Sequence, residues 1–190
     1  MTSKQTILSQ IRKRARQSLD MPSFEALSPV IYDNNVEQFV ETAHQVGGRV
    51  AFLEEGADIN VLIRSFYPEA SVIASSLPFV EAELNPDTVA DAHDLNGTDV
   101  GVVKGEVAVA ENGCVWVPQT MKERAVLFIS ECLVIIVDRK DIVSNMHQAY
   151  ERISNPGYGC FISGPSKTAD IAQALVMGAQ AARDVLYVIV

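Results

Sequence analysis

The 190-residue sequence contains few cysteines: three, and they lie far apart at Cys114, Cys132 and Cys160. No two of them have the spacing of a metal-binding or disulfide motif. Because an iron–sulfur cluster is usually held by four cysteine ligands, this chain cannot hold one by itself in the usual way. The sequence therefore predicts no cofactor bound within this chain.

A long hydrophobic run is also missing. The most apolar stretch, residues 133–137, is as long as a strand and much shorter than the roughly 20 residues that cross a bilayer. The first residues lack the apolar core of a secretory signal peptide. We therefore expect no transmembrane segment and a cytoplasmic location.

Basic residues are scarce outside the N-terminal segment. The formal net charge is −9, and the first 19 residues contain no acidic residue but five basic ones: Lys4, Arg12, Lys13, Arg14 and Arg16. The rest of the chain therefore has a net charge of −14, which argues against nucleic acid as the main partner. The basic segment can contact RNA, an anionic membrane or an acidic protein surface. We favour a solvated helix face or a packing arm for a partner subunit.

The apolar periodicity predicts an N-terminal helical arm over residues 1–22 and one α/β domain over residues 23–190. In the arm, Ser3 can cap a helix that runs to about Leu19. In the domain, helices alternate with short apolar strands, up to a last strand over residues 184–190. This alternation predicts a mostly parallel sheet covered by helices on both faces.

An antiparallel hairpin is predicted over residues 106–117, because valines alternate on both sides of the turn dipeptide Asn112-Gly113. Such a hairpin would make the sheet mixed. Two later helices are also expected, one over residues 122–130 and one that begins at Asp138 or Asp141 and continues to Ile153.

The stretch from Tyr158 to Gly178 predicts a buried strand, a tight turn and a helix. Gly164-Pro165 breaks the strand. Thr168 can cap a helix whose first turn contains Asp170. A helix start next to Lys167 can bind a phosphate or carboxylate, although on spacing alone simple capping with a solvated lysine is the more common arrangement.

The hairpin turn gives a second candidate site, because Glu111 at a tight turn can act as a nucleophile or a base if it faces a cleft. On the sequence alone a polar hairpin tip is the more common arrangement. The sequence contains no nucleophile elbow, Walker loop or dinucleotide-binding glycine motif. His44, His93 and His147 stand alone, so we interpret them as surface or packing residues.

The segment Gly164-Pro165-Ser166-Lys167-Thr168-Ala169-Asp170-Ile171, followed by Gly178, resembles the signature of the LUD-domain family, in its lactate-utilisation protein C group. The resemblance extends back through Ala110-Glu111-Asn112-Gly113 and residues 124–128, and forward to the last strand. The chain departs from the family pattern at Asn112-Gly113-Cys114 and at Gln180-Ala181-Ala182, while Arg183 is retained.

This resemblance implies a fold and a set of partners. The fold is a three-layer α/β/α sandwich with a mixed, mostly parallel sheet, as in ribose-phosphate isomerases, sugar-phosphate deaminases and CoA transferases. Family members act with two iron–sulfur subunits in the oxidation of L-lactate to pyruvate. The expected partners are therefore iron–sulfur lactate-utilisation subunits, which carry the clusters, and a small anionic metabolite; a homo-oligomer is also open.

The resemblance favours a non-iron–sulfur subunit of a lactate-oxidising system, with an anionic-ligand site at the turn from Ser163 to Thr168. The ligand-binding residues would be Asn112, Gly113, Ser163, Gly164, Pro165, Ser166, Lys167, Thr168 and Asp170. The alternative is an independent enzyme that acts on a CoA thioester or a phosphorylated metabolite with Glu111 as nucleophile or base, because Glu111-Asn112-Gly113 resembles the Glu-Asn-Gly turn of CoA transferases. A third, weaker interpretation is an interaction module in which the turn is only capped.

Overall fold

The computed structural model of the chain describes residues 2–14, 27–154, 157–168 and 175–190. The helices are α1 (Ser3–Arg14), α2 (Asn35–Gln45), α3 (Ile59–Phe66), α4 (Val126–Ile129) and α5 (Met146–Arg152). The strands are β1 (Arg49–Phe52), β2 (Ile73–Ser75), β3 (Val100–Lys104), β4 (Val107–Val109), β5 (Cys114–Pro118), β6 (Cys132–Val137), β7 (Ile142–Val143), β8 (Gly159–Ile162), β9 (Lys167–Thr168), β10 (Val176–Met177) and β11 (Asp184–Ile189).

Five strands form the central sheet in the order β1-β11-β6-β3-β2. Every pair in this sheet is parallel. Strands β6 and β11 lie in its middle and are almost completely apolar, as expected for strands that are buried on both faces. The α/β class and the mostly parallel central sheet with helices are thereby confirmed.

The order of the strands explains which elements cover each face of the sheet. After β1 the chain crosses to the far edge at β2, and it then returns strand by strand to β11 beside β1. Because parallel crossovers are right-handed, the outward and the return connections lie on opposite faces. Accordingly, Ile59 and Ile63 of α3 pack on one face, whereas Val126 and Leu127 of α4 pack on the other.

The predicted hairpin forms, but it belongs to a second sheet. Strands β4 and β5 are antiparallel and join β7 and β8 in the order β7-β4-β5-β8. Ala108, Val115 and Val117 of this sheet pack in the same core as α2 and the central sheet. The structure thus corrects one detail of the prediction: the hairpin does not make the central sheet mixed, and one outer layer consists of helices together with a second sheet.

Two predicted helices are shorter than expected. Residues 142–143 form strand β7, which pairs in parallel with Ala108-Val109, and the helix begins only after the cap at Asn145. An apolar pair such as Ile142-Val143 fits a strand as well as a helix, and here the open edge of β4 selects the strand. The helix predicted over residues 122–130 is limited to α4, where Phe128 and Ile129 donate to Ala125 O.

The N-terminal helix is confirmed as α1, and every described residue of the arm is exposed. The remainder of the predicted arm, residues 15–22, lies outside the described residues. Among the described helices, none combines the length and the apolar composition needed to cross a bilayer.

Candidate functional site

The hairpin and the Ser163–Thr168 turn lie next to each other. Ser163 Oγ donates a hydrogen bond of 2.9 Å to the carbonyl oxygen of Asn112. Strand β8, which leads into the turn, also pairs with β5 of the hairpin. The structure thus brings together two motifs that are about 50 residues apart in the chain. We call residues 111–113 and 163–168 the hairpin–turn site.

Both motifs also pack against the C-terminal end of α2. A Cβ atom at Gly113, where φ is +64°, would lie 3.0 Å from the backbone nitrogen of Ala43. A Cβ atom at Gly164, where φ is +65°, would lie 2.5 Å from the carbonyl oxygen of Val46. Only glycine permits this backbone conformation and this approach together. The two glycines therefore position the turns against one helix end.

The turn is hydrogen-bonded to the central sheet through Tyr187 on β11. The backbone nitrogen of Gly164 donates to the Tyr187 hydroxyl at 2.7 Å, and this hydroxyl donates to the carbonyl oxygen of Ile162 at 3.2 Å. Tyr187 is completely buried, and burial raises the pKa of its phenol. The hydroxyl is therefore a neutral group that satisfies two backbone groups of the turn.

Lys167 contacts the end of α2. Its Nζ donates to the carbonyl oxygen of Val46 at 2.6 Å. A cation is favourable there, because the last carbonyl groups of a helix have a partial negative charge. The side chain is exposed, and an ammonium group has three N–H donors, so it can still bind an anion from the solvent.

The helix predicted after Thr168 is wrong in the part that the structure describes. Lys167-Thr168 pairs with Val176-Met177 as two antiparallel strands. Ser166 N donates to Ala182 O, and Gly178 N donates to Ser166 O, so the chain folds back on itself in the region where a helix was expected. Asp170 lies outside the described residues. The described residues of this segment therefore give an anion site no helix N-terminus.

Glu111 is held by the start of α5. Its Oε1 accepts a hydrogen bond of 2.6 Å from the backbone nitrogen of Met146, the first residue of that helix. Its own backbone nitrogen donates to Ser144 O at 3.1 Å. One carboxylate oxygen thus accepts from a helix N–H group that has no partner within the helix. This role of Glu111 is structural.

The thiols and the histidines do not form a reactive cluster in the described parts of the chain. Burial raises the pKa of the Cys114 thiol to about 12, so it is not a thiolate near neutral pH. The three cysteines lie on three different strands, β5, β6 and β8. Among the described residues, no group of three or more His, Cys, Asp or Glu side chains is arranged to hold a metal ion.

Sequence reasoning missed the part of the site that α2 and β11 supply. The Val46 carbonyl and the Tyr187 hydroxyl position the turn, yet neither residue belongs to a motif. The only available signal was that Tyr187 interrupts an aliphatic strand, since a buried tyrosine usually needs a hydrogen-bond partner. The hairpin–turn site thus contains an exposed ammonium group in the same turn as the hydroxyl groups of Ser163 and Ser166, and groups of these kinds can bind a small anion.

Comparison with known sequences gives a family. A sequence model of the LUD domain matches residues 36–190. "Lactate utilization protein C" of Shouchella clausii is 29% identical over 121 residues, which is 60% of this chain and 53% of that protein. The protein of the same name from Oceanobacillus iheyensis is 28% identical over 101 residues, or 48% of this chain and 43% of that protein. The matched region thus spans about half the length of these curated relatives.

A solved structure has the same fold. The crystal structure of a DUF162 family protein from Deinococcus radiodurans has a TM-score of 0.61 to this chain at 14% identity. The match covers 82% of this chain and 95% of that one. At this identity the likeness concerns the fold alone.

Proposed function

Because the chain belongs to the LUD domain family, we propose that it serves in lactate utilisation, as the subunit without an iron–sulfur cluster in a system that oxidises L-lactate to pyruvate. The support is the matched domain over residues 36–190, together with the names of the curated relatives, which are lactate utilisation proteins C. In this proposal the partners are iron–sulfur subunits, which supply the electron transfer, since this chain has three cysteines and a cluster is usually held by four.

We further propose that the hairpin–turn site binds a small anionic metabolite. The observation that carries this proposal is the hydrogen bond from Ser163 to Asn112, because it places the two family motifs side by side. Lys167 supplies the positive charge, and its bond to Val46 O keeps the ammonium group at the turn. A carboxylate such as that of lactate would accept from the free N–H groups of Lys167. The predicted ligand residue Asp170 adds no attraction for an anion.

The alternative, an independent enzyme with Glu111 as nucleophile or base, has less support from the geometry. One oxygen of the Glu111 carboxylate already accepts from Met146 N at 2.6 Å. A nucleophile needs a free, desolvated oxygen directed at the substrate.

The proposal is tested with a strain that lacks the chain. We expect the strain to stop consuming L-lactate while it still grows on glucose, and the wild-type chain to restore lactate consumption. Lys167→Met should restore less than wild type, whereas Lys140→Met, a change at another exposed lysine, should restore fully. Unchanged lactate consumption in the deletion strain would contradict the role in lactate utilisation. Full rescue by Lys167→Met would contradict only the ligand site.

A further inference from the structure

Helix α1 has a short apolar stripe that is flanked by basic residues. Ile7, Leu8 and Ile11 lie on one side of the helix, because residues three and four apart are neighbours on a helix surface. Their exposed fractions are 57%, 42% and 59%. Lys4 and Arg14 continue the stripe at its two ends. The helix has no acidic residue in its sequence, and its last turn is basic.

The folded domain has an apolar groove at the carboxyl end of its central sheet. This groove, which we call the α3 groove, is a cavity of about 380 Å³ lined by Leu53, Ala57, Ile59 and Phe79, among others. Phe79 is 50% exposed, and Val61, on the outer side of α3, is 68% exposed. An exposed aromatic side chain at an apolar cavity is typical of a docking surface.

Carboxylates surround the α3 groove. Asp58 caps α3, and the exposed residues Glu54 and Glu55 stand in the loop between Leu53 and Ala57. Glu81 lies two residues beyond Phe79, where its backbone nitrogen donates to the Asn60 side chain at the start of α3. Among the described residues, none of Glu54, Glu55 and Glu81 takes part in an ion pair. The groove is therefore apolar in the middle and acidic at the rim.

Two basic residues near the groove already have partners. Lys104 pairs with Asp138 at 3.2 Å, and Arg139 lies over the ring of Phe52, 5.5 Å from its centre. The carboxylates of Glu54, Glu55, Asp58 and Glu81 outnumber Arg139, the positive side chain there that has no carboxylate partner among the described residues, so the rim has a net negative charge that complements the positive charges of α1. An anionic metabolite would be repelled there.

We propose that the α3 groove binds helix α1 of a second copy of this chain. Each copy would place the stripe of Ile7, Leu8 and Ile11 on Phe79 and Ile59 of its partner, and the basic residues at the stripe's ends would face Glu54, Glu55 and Glu81. Recognition of an amphipathic helix by an apolar groove is a recurrent binding mode. The exchange is reciprocal, so it closes as a two-fold symmetric dimer.

The second copy is favoured over an anionic membrane by the charge of the domain. Outside its first 19 residues the chain has a net charge of −14, and this charge opposes approach to acidic lipids. The stripe contains three aliphatic residues and no aromatic anchor. This apolar surface is small for a helix that inserts into a bilayer. This inference is independent of the proposed role in lactate utilisation, and it concerns another part of the surface than the hairpin–turn site.

Sedimentation velocity of the full chain at several concentrations tests the proposal. We expect a concentration-dependent dimer that weakens in high salt. The double change Ile7→Ser/Ile11→Ser should weaken the dimer by about tenfold or more, because it removes most of the buried apolar area. Ile31→Ser, at another strongly exposed isoleucine, should have no effect.

A charge reversal tests the groove itself. Glu54→Lys/Glu55→Lys should weaken the dimer, whereas Glu151→Lys, at an exposed glutamate of α5, should not. Mixing the Glu54→Lys/Glu55→Lys chain with a Lys4→Glu/Arg14→Glu chain should restore dimers between the two variants. A wild-type chain that stays monomeric at every concentration would overturn the proposal, whether α1 docks on its own domain or not at all. A dimer that survives Ile7→Ser/Ile11→Ser, or binding of α1 to phosphatidylserine vesicles by a monomer, would also overturn it.

Discussion

The hydroxyl of Tyr187 in the central sheet accepts a hydrogen bond of 2.7 Å from the backbone nitrogen of Gly164. This bond connects the middle of β11 to the turn between β8 and β9, and its donor and acceptor are both buried. The turn of the hairpin–turn site is thus fixed by the core of the protein. Changes at Tyr187 should therefore affect the turn as well as the stability.

Tyr187→Phe should lower the free energy of unfolding by about 1–3 kcal/mol, because it leaves the buried Gly164 N–H group without an acceptor. Urea denaturation measures the change. Tyr150→Phe, at a tyrosine that is 64% exposed, serves as the control and should change the stability by less than about 0.5 kcal/mol. Equal stabilities of the two variants would show that the Tyr187 bond does not fix the turn.

Gly164→Ala should destabilise the protein more than Gly56→Ala does. Both glycines have a positive φ, which costs an alanine about 1–2 kcal/mol. At Gly56 a new Cβ would meet no atom within 4 Å, whereas at Gly164 it would lie 2.5 Å from Val46 O. The two unfolding free energies, measured side by side, therefore separate the backbone cost from the contact with α2. Equal losses of unfolding free energy in the two variants would mean that the turn does not pack closely against α2.

Glu111 is expected to act on stability through α5. Glu111→Ala should cost about 1–2 kcal/mol, because Met146 N loses its acceptor, and Glu111→Gln should cost less, because its side-chain carbonyl can still accept. Glu151→Ala is the control on the exposed side of the same helix. A Glu111→Ala protein with unchanged stability and no function would instead favour a chemical role for the carboxylate.

The buried thiols predict a loss of stability in alkaline solution. Burial raises the pKa of Cys114 to about 12, whereas the thiol of the unfolded chain titrates near 8.5. Between these values the unfolded state has lost a proton that the folded state retains, so stability is full below about pH 8.5 and falls as the pH rises towards 12. For this group, the free energy of unfolding should fall by up to about 1.4 kcal/mol per pH unit.

Urea denaturation between pH 8 and 10.5 measures this slope, with Cys114→Ala as the comparison. The variant should lose stability less steeply, although Tyr67, Tyr187, Cys132 and Cys160 also have a raised pKa because of burial and remain in it. Parallel curves for the two proteins would show that Cys114 does not titrate with unfolding.

Local signals predicted several elements correctly. The N-terminal helix forms as α1, and Asn112-Gly113 forms the hairpin turn with a positive φ at glycine. These signals are read from a few neighbouring residues, because caps and turns depend on local hydrogen bonds. The two motifs of the candidate site were predicted for the same reason, because each is a short local pattern.

Non-local hydrogen bonds account for what the sequence could not show. In the described residues, Val176-Met177 forms a strand where the later part of the expected helix would lie, and Ser166 N donates to the distant Ala182 O, a partner that no local pattern shows. Strand β7 exists because Ala108 and Val109 offer it an edge. Likewise, the contact of Lys167 with Val46 joins residues 121 positions apart, so the lysine's position at the end of α2 could not be read from spacing.

The most direct measurement is an amide-shift titration of the ¹⁵N-labelled protein with L-lactate, with sodium chloride as the control salt. We expect saturable shifts at Gly113, Gly164 and Lys167 and none at Gly56 or Gly97, and the Lys167→Met protein should lose them. Shifts that do not saturate, or that appear elsewhere and leave residues 111–113 and 163–168 unchanged, would contradict an anion site at the hairpin–turn site.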